Sequence, residues 1–77
     1  MSNIILTDIY NSGTISKLGY DPMHQVMEVW YKKTGLYKYY DIPVEDYRAL
    51  AKTVASGESV GKHVREIIKD KQFKKVL

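Results

Sequence analysis

Residues 26–42, VMEVWYKKTGLYKYYDI, contain two runs of alternating side chains that are separated by a short turn sequence. Successive side chains of a strand point to opposite faces of a sheet, and strands this close in sequence pair as an antiparallel hairpin. A shift of the pairing by one residue exchanges the two faces, so the turn decides which aromatic rings are buried. This hairpin constrains the fold more than any other part of the sequence.

Two turns are compatible with the sequence Lys33–Thr34–Gly35. A two-residue turn would require a positive φ at Thr34, which a β-branched residue resists. A three-residue loop of Lys33, Thr34 and Gly35 requires a positive φ only at the glycine, and we therefore favour it. This loop predicts two cross-strand pairs: Tyr31 with Tyr37, and Val29 with Tyr39.

The two faces of the predicted hairpin differ in character. The apolar face, which we expect helices to cover, consists of Met27, Val29, Tyr31, Tyr37 and Tyr39. The opposite face mixes rings with ammonium groups and consists of Trp30, Lys32, Leu36, Lys38 and Tyr40. This mixed face could meet a ligand. Alternatively, Trp30 belongs to a core or a subunit interface, and the lysines only guard a strand edge.

The rest of the chain adds strand and helix signals. Residues 14–22, TISKLGYDP, predict a short strand that ends in an Asp-Pro turn, and residues 3–9 could add another strand. Pro43 favours the start of a helix, with an apolar stripe of Tyr47, Leu50, Ala51 and Val54, that ends at Ser56–Gly57. A second helix carries Val60, Val64, Ile67 and Ile68, and the final QFKKVL could form a short strand. The predicted fold class is α+β: an antiparallel β-meander of three to four short strands, followed by two α-helices packed on one face.

The length of 77 residues predicts one domain over residues 1–77. A domain this small buries only about 60% of its unfolded surface, so aromatic rings or self-association must add burial, and a homo-oligomer stays open. The absence of cysteine excludes disulfides and zinc–thiolate sites. The N-terminal segment MSNIILTDIYNSG has no basic region and no long apolar run, so we expect no secretory signal, no membrane contact and a cytoplasmic location.

The charge is concentrated at the C-terminal end. Residues 1–61 carry a net charge of −1, whereas residues 62–77 carry +4. Lys62, Arg65 and Lys69 share a helix face through their i, i+3 and i+7 spacing. Such asymmetry suggests an anionic partner, although a solvated helix face and tail would account equally well for the charge distribution.

Residues that could catalyse a reaction are few. The chain has no cysteine nucleophile, no glycine-rich phosphate loop with its lysine and no metal-ligand spacing, so we predict no enzyme activity, no metal site and no cofactor. His24 follows the Asp21–Pro22 turn, where we expect it to be exposed. His63 lies in the second helix beside Lys62, and a general base there would lack an orienting partner.

Several short motifs follow one another in an order that is shared with a known family. They are G-Y-D-P at 19–22, Y-x-Y at 37–39 with I-P at 42–43, Y-x-x-L at 47–50 and K-H-V at 62–64. In this order they resemble the KTSC domain over roughly residues 12–70. That family is named for the C-terminus of some lysyl-tRNA synthetases and also occurs as small free-standing bacterial and phage proteins. The resemblance implies RNA binding, the usual suggestion for the family. Where the family commonly has an aromatic and a polar residue before the lysine–histidine pair, this chain has Val60 and Gly61.

A non-enzymatic binder of a nucleotide-type anionic ligand is the function that these features favour. Rings stack on bases and cations neutralise phosphates. The ligand would be RNA, or a small signalling nucleotide sequestered by a homo-oligomer, as in phage anti-defence sponge proteins. The expected ligand-binding residues are Trp30, Lys32, Lys38, Tyr40, Lys62, His63, Arg65 and Lys69. Two alternatives stay open: a protein-interaction module that docks an acidic partner on the basic tail and the hairpin edge, and a small hydrolase that uses His63.

Overall fold

The structure is a computed structural model that describes residues 5–10 and 12–76. In chain order its elements are β1 (Ile5–Asp8), β2 (Ile15–Asp21), β3 (Val26–Tyr31), β4 (Gly35–Tyr39), α1 (Val44–Ser56), α2 (Val60–Ile68) and β5 (Phe73–Lys75). The five strands form one antiparallel sheet in the order β1-β2-β3-β4-β5. The predicted α+β class is confirmed.

The sheet contains five strands instead of the predicted three to four, because both terminal segments pair. Residues 5–8 of the expected N-terminal strand lie against β2, and residues 3 and 4 are outside the described residues. At the other end, three residues of QFKKVL lie against β4. Each of these strands is so short that side-chain alternation gives little sequence signal.

The core lies between one face of the sheet and the two helices. Its buried members are Ile9, Ile15, Leu18, Tyr20, Met27, Val29, Tyr39, Ile42, Tyr47, Leu50, Val60 and Val64. Full burial of one such aliphatic or aromatic side chain stabilises the fold by about 1.5–3 kcal/mol. Tyr31 and Tyr37 are partly buried and pack against this cluster, so the predicted helix-covered face is confirmed. Alternation along the strands places Trp30, Leu36 and Lys38 on the opposite face of the sheet.

The register of the β3–β4 hairpin differs from the predicted one. The observed pairs are Tyr31 with Gly35, Val29 with Tyr37 and Met27 with Tyr39. The predicted pairs of Tyr31 with Tyr37 and of Val29 with Tyr39 are therefore wrong. Gly35 has a φ of 95°, which glycine adopts without strain, and it begins β4 instead of ending the loop. The loop is thus residues 32–34, and because the pairing is shifted by two residues, the two strands keep their predicted faces.

Tyr20 joins β2 to the first helix. Its side chain is fully buried, and its ring stacks on Tyr47 of α1 with centroids 4.7 Å apart. Its hydroxyl donates a 2.6 Å hydrogen bond to the carbonyl oxygen of Ile42, just before the helix begins. Burial raises the pKa of this hydroxyl, so it remains a donor at any physiological pH.

The helix boundaries follow the predicted signals. Pro43 precedes α1, and Gly57 ends it with a φ of 78° while its N–H contacts the carbonyl oxygen of Val54 at 3.3 Å. Ser59 is the N-cap residue of α2, and its side chain accepts a hydrogen bond from the N–H of Lys62. The apolar stripe of α1 is narrower than predicted, since Ala51 is exposed.

The β2–β3 turn is organised by the carboxylate of Asp21. One oxygen accepts hydrogen bonds from the N–H groups of Met23 and His24, at 3.1 and 3.4 Å. The other contacts Nδ1 of His24 at 2.8 Å. The hydrogen bond from the His24 side chain holds the pKa of Asp21 below its usual value, although burial opposes this shift. His24 itself is exposed in the turn, as predicted.

We expect Tyr20→Phe to lower the free energy of unfolding by about 1–3 kcal/mol, because the buried carbonyl oxygen of Ile42 loses its donor while the ring stack is kept. Urea unfolding measures the change. Tyr10→Phe is the matched control, since Tyr10 is exposed. Equal stability of the two variants would contradict the role of this hydrogen bond.

We expect Asp21→Asn to lower stability at neutral pH, because a neutral amide is a weaker acceptor than a carboxylate for the N–H groups of Met23 and His24. A carboxyl with a lowered pKa stabilises the fold above its unfolded pKa of about 3.9, and this contribution is lost as the pH falls through the folded pKa. The difference between wild type and variant should therefore shrink below about pH 4. Urea unfolding across a pH series tests this, with the exposed Asp70→Asn as control. A difference independent of pH would refute the assignment.

Candidate functional site

A cleft opens where the start of β2 and the β3–β4 turn face α2. Its volume is about 370 Å³, within the range of about 300–1,000 Å³ that is typical of small-molecule sites. Its lining residues come from three places in the chain that are far apart in sequence: 13–15, 31–34 and 61–68. The fold therefore creates the cleft by bringing α2 against the sheet.

The floor of this cleft is apolar. It consists of Ile15, Tyr31, Val64 and Ile68. The half-buried ring of Tyr31 is held edge-on against Tyr37, with centroids 5.4 Å apart, and its hydroxyl lies 3.0 Å from the hydroxyl of Tyr39. Burial strongly raises the pKa of Tyr39, so the hydroxyl of Tyr39 stays protonated at neutral pH. These two contacts orient the ring of Tyr31, which offers an apolar surface to the cleft.

The rim of the cleft is polar and positively charged. Thr14 and Thr34 contribute hydroxyls, while Lys33 and Arg65 contribute cations. Both cations are exposed, and within residues 5–10 and 12–76 neither has a carboxylate within ion-pair distance. An anion at the rim would therefore meet positive charge that is not already neutralised.

Gly61 keeps the cleft open on the helix side. A Cβ atom at this position would lie 3.4 Å from Oγ1 of Thr14, so α2 passes close to the start of β2. On the far side of this contact is a polar depression that shares Gly13, Thr14, Gly61 and Arg65 with the cleft. The cleft and the polar depression are thus neighbours, and the two together are called the groove below.

The polar depression surrounds the beginning of α2. Its polar and charged lining residues include Ser12, Glu58, Ser59, Lys62 and Arg65. Backbone N–H groups in the first turn of a helix have no intrahelical partner and attract anions. Lys62 and Arg65, both expected in a ligand site, are thus brought together by one turn of helix.

Three other expected residues, Trp30, Lys38 and Tyr40, are separated from this groove. Trp30 and Lys38 lie on the open face of the sheet, where the ammonium of Lys17 is 5.7 Å from the Trp30 ring centre and that of Lys38 is 3.6 Å from the Glu28 carboxylate. Tyr40 follows β4 and lines a recess with Lys38. Lys17 and Lys38 on this face are therefore already engaged.

The remaining expected residues have separate environments. The Lys32 ammonium donates a 2.7 Å hydrogen bond to the carbonyl oxygen of Ser12 and so fastens the turn to the start of β2. Lys69 is exposed at the end of α2. His63 has a partner that the sequence did not reveal: its Nδ1 lies 2.7 Å from Oγ1 of Thr53 in α1. This contact explains the position of His63 as a link between the helices.

Sequence reasoning missed Tyr31 and Lys33 as cleft residues. Alternation assigned Tyr31 to the core, and it lies at the core's edge, where one side of its ring remains accessible. Lys33 lies in the turn itself, and no periodicity indicates which way a turn lysine faces. The available signal was Gly61, because a glycine within a helix often marks a close approach.

Neither a metal-binding cluster nor a membrane-spanning helix is present among the described residues. Among residues 5–10 and 12–76, no three His, Asp or Glu side chains are grouped to hold a metal ion. No helix in this part of the chain is long and apolar enough to cross a membrane.

Comparisons with known proteins agree on one family. The sequence profile of the KTSC domain matches residues 11–73. A protein of Stutzerimonas stutzeri (strain A1501), described as uncharacterized, is 32% identical over 63 residues, which is 82% of this chain and 83% of the relative. The crystal structure of a KTSC domain protein from Yersinia pestis superimposes with a TM-score of 0.83 at 22% identity, covering 97% of this chain and all of the other.

Proposed function

This chain belongs to the KTSC domain family, and from that premise we propose that it binds a nucleotide-type anionic ligand, without catalysis, in the cleft between the β3–β4 turn and α2. One observation carries the proposal. The ring of Tyr31 and an apolar floor lie beside Lys33 and Arg65, two cations without an ion pair among the described residues.

A nucleotide consists of two parts that this groove matches. Its base is a flat ring, and stacking of a base on an aromatic side chain is worth about 1–3 kcal/mol. Tyr31 and Ile68 provide the surface for it. Its phosphate needs cations, which Arg65 and Lys62 provide in the adjoining depression that Glu58 also lines. The apolar cleft lies next to the polar depression, just as the base of a nucleotide lies next to its sugar and phosphate.

The small volume of the cleft, about 370 Å³, favours a small nucleotide over a long RNA. An RNA backbone needs an extended surface with surplus positive charge. On the open sheet face Lys17 and Lys38 are each within ion-pair distance of a carboxylate, which leaves Lys74 as the strand cation there without an ion pair among the described residues. RNA, which the family's synthetase context implies, is the second ligand class. Its contact surface would be the exposed strip of Lys62, Arg65 and Lys69 on α2.

If the ligand is a small nucleotide, we propose that the protein sequesters a cytoplasmic signalling nucleotide, in the manner of phage sponge proteins. It would be served by a homo-oligomer, because a second copy could enclose the ligand more fully. The exposed edge of β1, with Ile5 and Leu6 accessible, is a place where a second copy could pair.

The interaction-module alternative loses part of its support. It relied on a free edge of the β3–β4 hairpin for strand addition, and the outer side of β4 is paired with β5. The free strand edges within the described chain belong to β1 and β5. The hydrolase alternative is not proposed, because among the described residues no carboxylate lies within ion-pair distance of the His63 ring to orient it as a base.

We expect ligand binding to raise the melting temperature. A panel of nucleoside phosphates, cyclic dinucleotides, ADP-ribose isomers and short RNAs is tested at increasing concentration. A ligand that binds only the native state adds about 2.7 kcal/mol of stability at 100 times its Kd. No shift with any member of the panel would refute the proposal. A shift with RNA alone, declining steeply with salt, would select the RNA version.

We expect Arg65→Ala to weaken binding of the best ligand about tenfold or more, because a hydrogen bond to a charged group contributes about 1.5–3 kcal/mol. Lys69→Ala is the matched control, since Lys69 is an exposed cation one turn further along and outside the groove. Calorimetric titration measures both. An equal loss in the two variants would indicate general charge attraction instead of a site.

We expect Gly61→Ala to stabilise the fold while weakening binding. Alanine favours a helix over glycine by up to about 1 kcal/mol, and its Cβ would make an ordinary contact with Thr14. The same methyl group narrows the junction between the cleft and the polar depression. Thermal melting and ligand titration of one sample separate the two effects. Higher stability with unchanged affinity would place the ligand elsewhere.

A further inference from the structure

A row of aromatic rings runs from the floor of the cleft to the outer edge of the sheet. Tyr31 in the cleft meets Tyr37 edge-on, and the ring of Tyr37 lies next to that of Phe73 on β5, with centroids 5.9 Å apart. The Phe73 ring is also 5.9 Å from that of Tyr39. Because Tyr37 and Tyr39 point toward the helices, these contacts place Phe73 on the helix side of the sheet, where the cleft also lies.

Phe73 is the exposed end of this row. It is 61% exposed, whereas Tyr37 beside it is half-buried and Tyr39 is buried. Phe73 does not line the cleft, so a single base seated on Tyr31 would leave it uncovered. An accessible aromatic ring is a surface on which a base of any kind can stack. The row therefore offers two separate places for bases, one at each end.

A cation lies beside the second of these places. Lys75 pairs with Tyr37 across the strands and Phe73 pairs with Tyr39, so Lys75 is nearer than Phe73 to the turn that borders the cleft. Side chains two residues apart in a strand share a face, which puts Lys75 on the helix side with Phe73. Lys75 is exposed, and among the described residues no carboxylate lies within ion-pair distance of it. A phosphate between the cleft and Phe73 would meet this ammonium.

The charge of β5 favours an anion on this edge of the sheet over a second copy of the strand. All three residues of β5 are exposed. A second copy paired antiparallel in full register would place Lys74 opposite the same lysine of the other copy, and like charges directly opposite each other are destabilising. Lysines on an edge strand commonly prevent such pairing. Residues 62–77 carry a net charge of +4, which attracts an anionic ligand instead.

We propose that the ligand contains two bases joined by a phosphate: the first base occupies the cleft at Tyr31, the second stacks on Phe73, and Lys75 contacts the linking phosphate. This inference rests on the proposed function, because it extends the same site and names the class of its ligand. A 5′-phosphate on the first base keeps its place beside Arg65 in the polar depression. A dinucleotide and a single-stranded RNA both present this two-base unit.

Calorimetric titration of the full chain with AMP, ADP and the 5′-phosphorylated dinucleotide pApA separates the second base from the second phosphate. ADP and pApA each carry two phosphate groups, but only pApA carries two bases. We expect pApA to bind about tenfold or more tightly than ADP, because one more base stacks. Equal affinity of ADP and pApA overturns this inference and leaves the proposed function standing. Absence of binding by all three probes overturns both, since stacking tolerates any base.

Hexaadenylate distinguishes the two sources of the two-base unit. An affinity equal to that of pApA identifies a dinucleotide as the ligand. Tighter binding that declines steeply with salt identifies single-stranded RNA. Both results agree with a site for two bases, whereas binding of hexaadenylate no tighter than that of ADP contradicts it.

Matched variants separate stacking from a structural role of Phe73. Phe73→Leu keeps an apolar side chain next to Tyr39 and should remove the preference for pApA over ADP, while the affinity for AMP stays unchanged. Phe73→Trp keeps a ring and should retain the preference. Thermal melting checks that each variant is folded. A lower melting temperature in Phe73→Leu with the preference for pApA intact would show that Phe73 only covers Tyr39, and it would overturn the inference.

The two neighbouring lysines of β5 provide a second matched pair. Lys75→Ala should weaken pApA binding about tenfold, because a hydrogen bond to a charged group is lost. Lys74→Ala removes the same charge from the opposite face of the same strand and should leave the affinity unchanged. An equal loss of affinity in the two variants would indicate general charge attraction and would contradict a contact between Lys75 and the linking phosphate.

Discussion

The buried contact between Tyr20 and the chain that enters α1 is the interaction on which the rest of the structure depends. Tyr20 stacks on Tyr47 and donates its hydroxyl hydrogen to Ile42, so it fixes both the direction and the starting point of α1 relative to the sheet. The position of α1 then determines where α2 lies, because the two helices contact each other and share the core. Since α2 forms one wall of the groove, a tyrosine with no part in ligand contact determines the geometry of the site.

Much of this fold could be predicted from the sequence, for reasons that particular residues make clear. Alternation placed Met27, Val29 and Tyr39 on the helix side, and Gly57 marked the end of α1. The hairpin register was wrong, because a glycine can supply a positive φ either inside a loop or in the first residue of a strand. That choice depends on how the whole hairpin fits β2 and β5, which the local sequence does not contain.

The candidate site was predicted only in part, because local sequence patterns do not show which residues far apart in sequence come close together in the fold. Helical spacing put Lys62 and Arg65 on one face, and both line the polar depression. The sequence around Lys33 and Thr14 does not indicate that these residues line a cleft with α2. Conversely, Trp30 and Lys38 formed a convincing basic aromatic surface in the sequence, and the neighbours that engage them, Lys17 and Glu28, come from adjacent strands. Whether a cation is available to a ligand depends on whether a neighbouring side chain of the protein already contacts it.

The pairing of β4 with β5 has a consequence for the order of folding. Strands β1 to β4 are joined by short connections, so each can pair as soon as its neighbour forms. The fifth strand can pair only after the chain has closed a loop that contains both helices, and loop closure carries an entropic cost that local pairs avoid. This three-residue strand is exposed along its whole length, so little burial offsets that cost. We therefore expect the C-terminal strand to pair after the β1–β4 meander and its helices have formed the core.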